Sequence, residues 1–559
     1  MAYGLDNYLK GHGHWGMSGN RWGVLVEGVH VMSDGFKDID GGGDAGFRKS
    51  EAMVKARYAS DPLGDVFHRG DLKLGFTYED SHETYLGLTD ADFEADPDRR
   101  YRASLNDRMK NWRALVEASY TLQVEEDLDF TATLYRHDFD RSWVKLNRFR
   151  SGPGLADIIA SPSGTREVFY RILKGDEDSS SDDEALMIGD NARRYVSQGL
   201  DTAFRWSTQT GDWGHELRGG VRYHYDQVAR NHTEDGFLMQ GRELVGDGRD
   251  TLTTTKNVDE AHAIAAHLAY ATFFKGLTIK PGVRFEYIKT AREDEQTGTT
   301  QDGDQAVLLL GLGAHYEIGA GFGVLAGIHQ GFSPVSPGQP DEVDPEKSIN
   351  YEAGVRWADT DLGSTAEAVF FFTDYSNLVG QCAFSTGCDQ SDLDKQFNGG
   401  EVQVLGLEVA GNHTFALGHD LKLPVRLAYT FTQTEFQTAF TSENPEFGVV
   451  EEGDELPYIP AHQASLQVGI GSEVWGLNLA GTWVDAVREV AGQGDPAPGE
   501  ETDSAFLLDA SARYSPLEWL ELYVRGENLT LARPIASRRP FGARPGKPLL
   551  VMGGARFSF

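Results

Sequence analysis

Short runs along this chain alternate strictly between apolar and charged residues. In 72–78, Leu72, Leu74, Phe76 and Tyr78 share one parity, while Lys73 and Thr77 take the other. In 216–226, Leu217, Val221, Tyr223 and Tyr225 oppose Glu216, Arg218, Arg222, His224 and Asp226. In 277–287, Leu277, Ile279, Val283, Phe285 and Tyr287 oppose Lys280, Arg284 and Glu286, and 475–483 and 519–527 repeat the pattern. A period of two marks β-strands. The charges decide the architecture. A packed core does not accept Arg, Glu and Asp on its buried face. A soluble sandwich puts them outside but then needs a second apolar sheet. A wide membrane barrel needs no cover, because lipid meets the apolar face and water the charged one. The terminal run 547–559 fits: Leu549, Val551, Phe557 and Phe559 share one parity, and the chain ends on an aromatic residue. That strand is expected to close a ring by pairing with the first strand, near Tyr8–Trp15.

Size and composition agree. The chain has 559 residues, too many for one ordinary soluble core, yet no linker divides it. Mean hydropathy is −0.41, and no apolar run approaches the ~20 residues of a membrane helix. The net charge of −35 argues against a nucleic-acid partner, which wants a basic face. Connections alternate in kind. Short turns are read at Val124–Asp127, Thr210–Asp212, Phe274–Gly276 and Pro516–Glu518. Long polar loops are read at 80–112, 140–190, 227–262, 288–305, 333–349, 374–400, 434–462, 485–505 and 530–546. The acidic 175–184 stretch reads as a mobile loop tip. Trp22, Tyr58, Trp143, Trp206, Trp357 and Trp519 are candidates for interface girdles. About 25 residues per strand and connection gives ~22 strands. The expected fold is all-β: a 22-stranded antiparallel transmembrane β-barrel filling 1–559, with short periplasmic turns and long extracellular loops. The only cysteines, Cys382 and Cys388, sit in one short polar loop, which suits a disulfide in an oxidising compartment.

Several motifs, in order, resemble the barrel of TonB-dependent receptors. The 333–356 segment carries a Pro-Glu-Lys turn before Tyr351-Glu-Ala-Gly-Val-Arg356. Gly406-Leu-Glu408, Leu456-Pro-Tyr-Ile-Pro-Ala-His462 and Gly526-Glu-Asn-Leu529 follow, and then the Phe559 end. Within that family, Glu83–Tyr101, Tyr135–Phe139, Gly220–Tyr225 and Pro281–Glu286 are similar to the ferric dicitrate receptor group. The resemblance implies a bacterial outer-membrane protein whose loops capture a ferric chelate or other small ligand. It also implies a plug domain in the lumen, coupling to TonB through that plug, and contact with outer-membrane lipid and lipopolysaccharide. Here the barrel pattern begins almost at once, with no signal peptide, TonB box or plug ahead of it. The plug is therefore expected as a separate polypeptide or as a segment removed from this chain.

An anionic chelate is suited to Arg, whose planar fork pairs with carboxylates. Candidate contacts are Arg99, Arg100 and Arg102 in the first long loop, Arg148 and Arg150 in the second, and Arg230 beyond the 216–226 strand, where the resembling receptors also place an Arg. Gln339 and the last-loop cluster Arg538, Arg539 and Arg544 complete the set. The alternative is that these arginines pair with the abundant loop acids or with lipopolysaccharide phosphates. His12 and His14 share a parity but lack a third ligand beside them. No nucleophile elbow, phosphate loop or zinc motif is present, so no enzyme activity, cofactor or metal is expected. Two functions remain open: an active-transport receptor barrel needing a plug and TonB, or a plugless passive pore.

Overall fold

The computed structural model describes residues 1–61, 66–125, 127–388 and 392–559. Glu126, inside the turn read at 124–127, and 389–391, inside the loop read at 374–400, lie outside the described residues. The chain forms one closed antiparallel barrel of 22 strands. In chain order the first are β1 (Ala2–Gly4), β2 (Leu9–Ser18), β3 (Trp22–Ser33), β4 (Phe47–Ala59), β5 (Val66–Ser81) and β6 (Arg108–Val124). Next come β7 (Leu128–Phe149), β8 (Leu186–Thr210), β9 (Trp213–Gln240), β10 (Leu252–Phe274), β11 (Leu277–Asp294) and β12 (Thr299–Gly319). Then follow β13 (Phe322–Ser333), β14 (Glu346–Asp359), β15 (Ser364–Asn377), β16 (Val402–Gly418) and β17 (Leu421–Phe436). The last are β18 (His462–Gly471), β19 (Trp475–Val484), β20 (Ala505–Leu517), β21 (Leu520–Glu527) and β22 (Leu550–Phe557).

The alternation has the orientation the sequence requires. Leu72, Leu74, Phe76 and Tyr78 of β5 are exposed on the outer wall, as are Val283, Phe285 and Tyr287 of β11. Short turns gather at one rim. One two-residue turn, between β10 and β11, sets Lys275 at φ 44° and Gly276 at φ 83°, the left-handed pair that matches strand twist in a two-residue hairpin. Aromatic side chains ring this rim. Trp22 pairs across from Tyr58, Trp213 stacks on Phe274 at 4.3 Å, and Trp519 stacks on Phe557. Trp206 and Trp357 are also there. Trp143 is not. It lies on the inner parity of β7, edge-on to Tyr85 at 4.9 Å, so it packs inside the mouth and does not meet lipid.

Three further expectations are corrected. The stretches 227–262 and 288–305 are mostly strand, not loop. β9 pairs with β10 as far as Glu234–Leu252, and β11 with β12 as far as Asp294–Thr299. These strands project past the apolar band into water, so both faces are polar and the hydrophobic period vanishes while backbone pairing continues. β9 even carries an extra hairpin arm, Glu243–Gly246. The 175–184 stretch is held in place: Ser180 donates to Glu184 at 2.9 Å, and Asp182 pairs with Arg249. The barrel closes differently as well. β22 pairs with β1, through Ala2–Gly554 to Gly4–Met552, and β1 in turn pairs with β2. Tyr8 belongs to the connecting turn.

The compact hydrophobic core lies in the loops of the other rim. It contains α1 (Asp90–Ala95), α2 (Leu155–Ala160) and α3 (Glu167–Lys174). Thr89 caps α1 by accepting the Asp92 amide, and Gly175 at φ 74° ends α3. Leu88, Phe93, Tyr101, Ile158, Ile172, Leu173, Phe541 and Ala543 are buried together. Segments 82–107 and 528–549 are stitched by the Leu88–Ala543 bridge, and Asp38–Ile39 pairs in parallel with Arg99–Arg100. Phe384, from the loop joining β15 to β16, reaches Tyr85 at 5.6 Å and Phe541 at 5.4 Å between ring centroids. Tyr85 belongs to the loop joining β5 to β6, nearly opposite on the ring. The loops therefore meet across the mouth as a cap.

Candidate functional site

Beneath this cap, beside the β22–β1–β2 seam, is a cavity of about 710 Å³, within the range of small-molecule sites. Its walls come from the ends of β3 to β5, from the 34–46 and 82–85 segments, and from Arg539–Leu550. Five cations line it, namely Lys37, Arg100, Arg539, Arg544 and Lys547, against the carboxylates Asp6 and Glu83. The rest is largely aromatic and apolar: Phe36, Phe47, Tyr85, Trp143, Pro540, Pro545 and Leu549. In a chain of net charge −35, this is a concentrated positive site.

The cations differ in how far they are already satisfied. Arg100, 2% exposed, donates to Thr84 Oγ1 at 3.2 Å and to the carbonyls of Pro97 at 3.0 Å and Arg99. Burial, with Arg544 nearby, brings its pKa down to about 10. Arg539 donates to the carbonyls of Thr386 at 3.1 Å and Pro445 at 2.8 Å, but its buried Nε has no acceptor. Arg544 lies 4.8 Å over the Tyr85 ring, and its buried Nε and Nη2 have no acceptor either. Burial pulls its pKa down. Lys37 has no ion pair among the described residues. Burial, reinforced by Arg100, lowers its pKa to about 8, and Glu83 opposes the shift. Burial in turn raises Glu83 and takes Tyr85 to about 12. Lys547 is paired with Glu527. The site thus offers Arg544, Lys37 and one edge of Arg539 to an anion. Desolvation makes these charges costly to leave unmatched and strengthens any charge-assisted bond they form.

Of the arginines expected to touch ligand, only Arg100, Arg539 and Arg544 come together. Arg99 forks onto Asp40 at 2.9 Å and meets Asp92 at 2.9 Å. Arg102, 5% exposed, donates to the carbonyls of Gly42 at 2.6 Å and Arg242 at 2.5 Å and pairs with Glu243 at 2.9 Å. Arg148 holds Glu234 at 2.8 Å, and Arg150 pairs with Asp247. Arg230 and Arg292 share Asp259, and Arg230 Nε lies 3.7 Å from Asp394. Gln339 donates to the Asp394 carbonyl and accepts the Gln396 amide, both at 2.8 Å. Arg538 pairs with Asp90. These residues fasten loop to loop. Cys382 and Cys388 are joined as a disulfide with Cα atoms 5.6 Å apart, bounding the turn that carries Phe384. Lys37, Tyr85 and Trp143 were not expected here. Lys37 sits among Asp34, Asp38 and Asp40, where nothing local marks it as facing a cavity.

The family model described as "TonB dependent receptor-like, beta-barrel" matches residues 56–529. The chain belongs to this family. As a TonB-dependent receptor barrel it superposes on solved structures at low identity. The unliganded ferric citrate transporter FecA matches with a TM-score of 0.74 at 18% identity, covering 99% of this chain and 77% of that one. The siderophore receptor PiuA from Acinetobacter baumannii gives 0.78 at 14% identity, covering 100% and 80%. The copper transporter OprC gives 0.68 at 13% identity, covering 100% and 79%. At such identities the likeness speaks for the fold of the receptor barrel, which is that of outer-membrane proteins.

Proposed function

We propose that this chain is the barrel of a bacterial outer-membrane uptake receptor that captures an anionic ferric chelate beneath its loop cap. The observation that carries this reading is the pair of cations, Arg544 and Lys37, that have no ion-pair partner among the described residues, in a desolvated cavity of an otherwise acidic protein. The ferric citrate transporter and the siderophore receptor among the similar structures support a ferric chelate; the copper transporter warns that the fold alone does not select the metal. The long-loop rim faces outward and the aromatic short-turn rim inward, with lipopolysaccharide and phospholipid against the wall. The chelate then moves through a plug domain coupled to TonB, in keeping with the plugged lumen of barrels this wide. Loops that meet across the mouth speak against a permanently open pore.

Calorimetric titration of the folded barrel with ferric citrate and with a ferric catecholate tests this. At least one binds, and Arg544→Gln and Lys37→Gln each weaken it roughly 10- to 100-fold, as expected for a lost charge-assisted bond of about 1.5–3 kcal/mol. Binding unchanged in both variants, or of neither chelate, sinks the reading.

A further inference from the structure

Lys145, near the end of β7, is 0% exposed, and its ammonium donates to Asn147 Oδ1 at 3.0 Å. It makes no ion pair among the described residues. The acids whose charge it feels, Asp107 and Glu234, are engaged elsewhere. Asp107 accepts the Tyr85 and Leu146 amides, and Glu234 accepts Asn147 Nδ2 at 2.9 Å and Arg148 at 2.8 Å. What faces the ammonium instead is aromatic. Its Nζ lies 3.5 Å from the Phe384 ring centroid, 5.1 Å from that of Tyr85 and 5.3 Å from that of Trp143. A ring face attracts a cation through its quadrupole, most strongly where water is excluded. A neutral ring still leaves a buried charge without a counter-charge, and that is costly.

The three rings differ in how they are held. Tyr85 and Trp143 meet edge-on at 4.9 Å and also line the cationic cavity. Arg544 lies over the Tyr85 ring at 4.8 Å, so that one ring joins the Lys145 cage to the cavity. Phe384 arrives from the β15–β16 loop across the mouth and is only half-buried. Its turn is closed by the Cys382–Cys388 disulfide and by bonds of its own. The Thr386 amide donates to the Ala383 carbonyl at 3.1 Å, and the Gly387 amide to the Phe384 carbonyl at 3.2 Å. Such a turn keeps its shape whether or not Phe384 is docked. Arg539, donating to the Thr386 carbonyl at 3.1 Å, tethers it to the last loop. Phe384 is thus a removable ring laid over a fully buried cation.

We propose that Lys145, Tyr85 and Trp143 form a subsite for an anionic aromatic ring of the chelate, a catecholate or related aryl oxide, and that Phe384 fills it until the chelate arrives. The inference rests on the uptake reading and narrows its ligand to the aryl class. A six-membered ring fits because one already stands there. An aryl oxide keeps the flat face and adds negative oxygen, so Lys145 exchanges a neutral ring for a charge-assisted contact. The rest of the chelate, also anionic, then faces Arg544 and Lys37 in the adjoining cavity. An aliphatic carboxylate such as citrate presents no ring to Tyr85 and Trp143. Displacing Phe384 also parts its turn from Tyr85 and Phe541, so the same exchange loosens the cap.

The test sets the ferric complex of catechol against ferric citrate in calorimetric titration of the folded barrel, with Phe384→Ala and Lys145→Met beside the unaltered chain. The catecholate binds roughly tenfold tighter than citrate or better. Phe384→Ala, which removes the competing ring, tightens the catecholate severalfold and leaves citrate unchanged. Lys145→Met weakens the catecholate roughly tenfold and leaves citrate unchanged. In the unaltered chain, hydrogen exchange of the 383–388 amides speeds up on adding the catecholate and not on adding citrate. Citrate binding as tightly as the catecholate overturns the proposal while the uptake reading stands; binding of neither chelate sinks both. An equal gain for both chelates in Phe384→Ala also overturns it, since Phe384 would then merely shut the mouth. So does undiminished catecholate binding by Lys145→Met. Should Lys145→Met loosen the cap amides by itself, the Phe384 variant and the 383–388 exchange decide.

Discussion

The barrel wall and the loop cap are both rich in large apolar side chains, yet they use them in opposite ways. On the wall, Leu308, Leu310 and Leu312 are 57%, 56% and 48% exposed. In the cap, Leu88, Ile158, Ile172 and Leu173 are 0% exposed. The wall has lipid as its solvent and draws its order from backbone pairing, so its side chains need only be apolar. The cap has water as its solvent and must assemble a core of its own from several loops, so its side chains must fit. Position in the wall therefore tolerates exchange among apolar residues, whereas position in the cap does not.

Substitutions break this comparison in a definite order. Leu88→Ala is expected to cost about 2–5 kcal/mol of cap stability, as buried large-to-small changes do. Hydrogen exchange should show loosening of 82–107 and 150–174 with the β11–β13 amides unchanged; loss of protection throughout the wall would show that cap and wall fold as one unit. Leu310→Arg places a charge among the outward leucines of β12 and should cost about 2–4 kcal/mol if it lies near the bilayer midplane. Unfolding in vesicles should register it while chelate binding is retained. Next in size is a pH effect confined to the cap. Asp107 accepts the amides of Tyr85 at 2.9 Å and Leu146 at 3.3 Å, and burial raises its pKa from 3.8 to about 7. A carboxyl raised in the folded state contributes its stability at low pH and loses it as pH rises through about 7. Cap amides, corrected for intrinsic rates, should therefore open more readily at pH 8 than at pH 5, and Asp107→Asn should flatten that difference. Smallest is Arg538→Ala. Its partner Asp90 is well exposed, so the loss should stay within about 1 kcal/mol.

The same contrast explains what the sequence disclosed. Strands in the apolar band were readable because one local rule, alternation, reports the solvent on each face. Where β9 to β12 leave the band, as at Ala229–Gln240 and Thr290–Asp294, both faces meet water and only pairing with a distant strand betrays them. Trp143 was misread for a related reason: it has a girdle residue's chemistry but the inner parity of β7. For the cavity, residue type pointed toward arginine in the last loop and was right about Arg539 and Arg544. It pointed equally to Arg99, Arg102 and Arg538, which are consumed by Asp40, Glu243 and Asp90. Which guanidinium remains unpartnered depends on acids brought in from other loops. Nothing in the neighbourhood of Lys37 reveals that its companions turn away from it.

The three grips of Arg102, on Gly42, Arg242 and Glu243, join the 34–46, 82–107 and 241–251 segments into one outward surface. An antibody meeting this face in its native form reads residues scattered over some two hundred positions of the chain. A vaccine peptide copied from any single loop would lack at least one side of these contacts, and would train serum against a shape the folded barrel does not display.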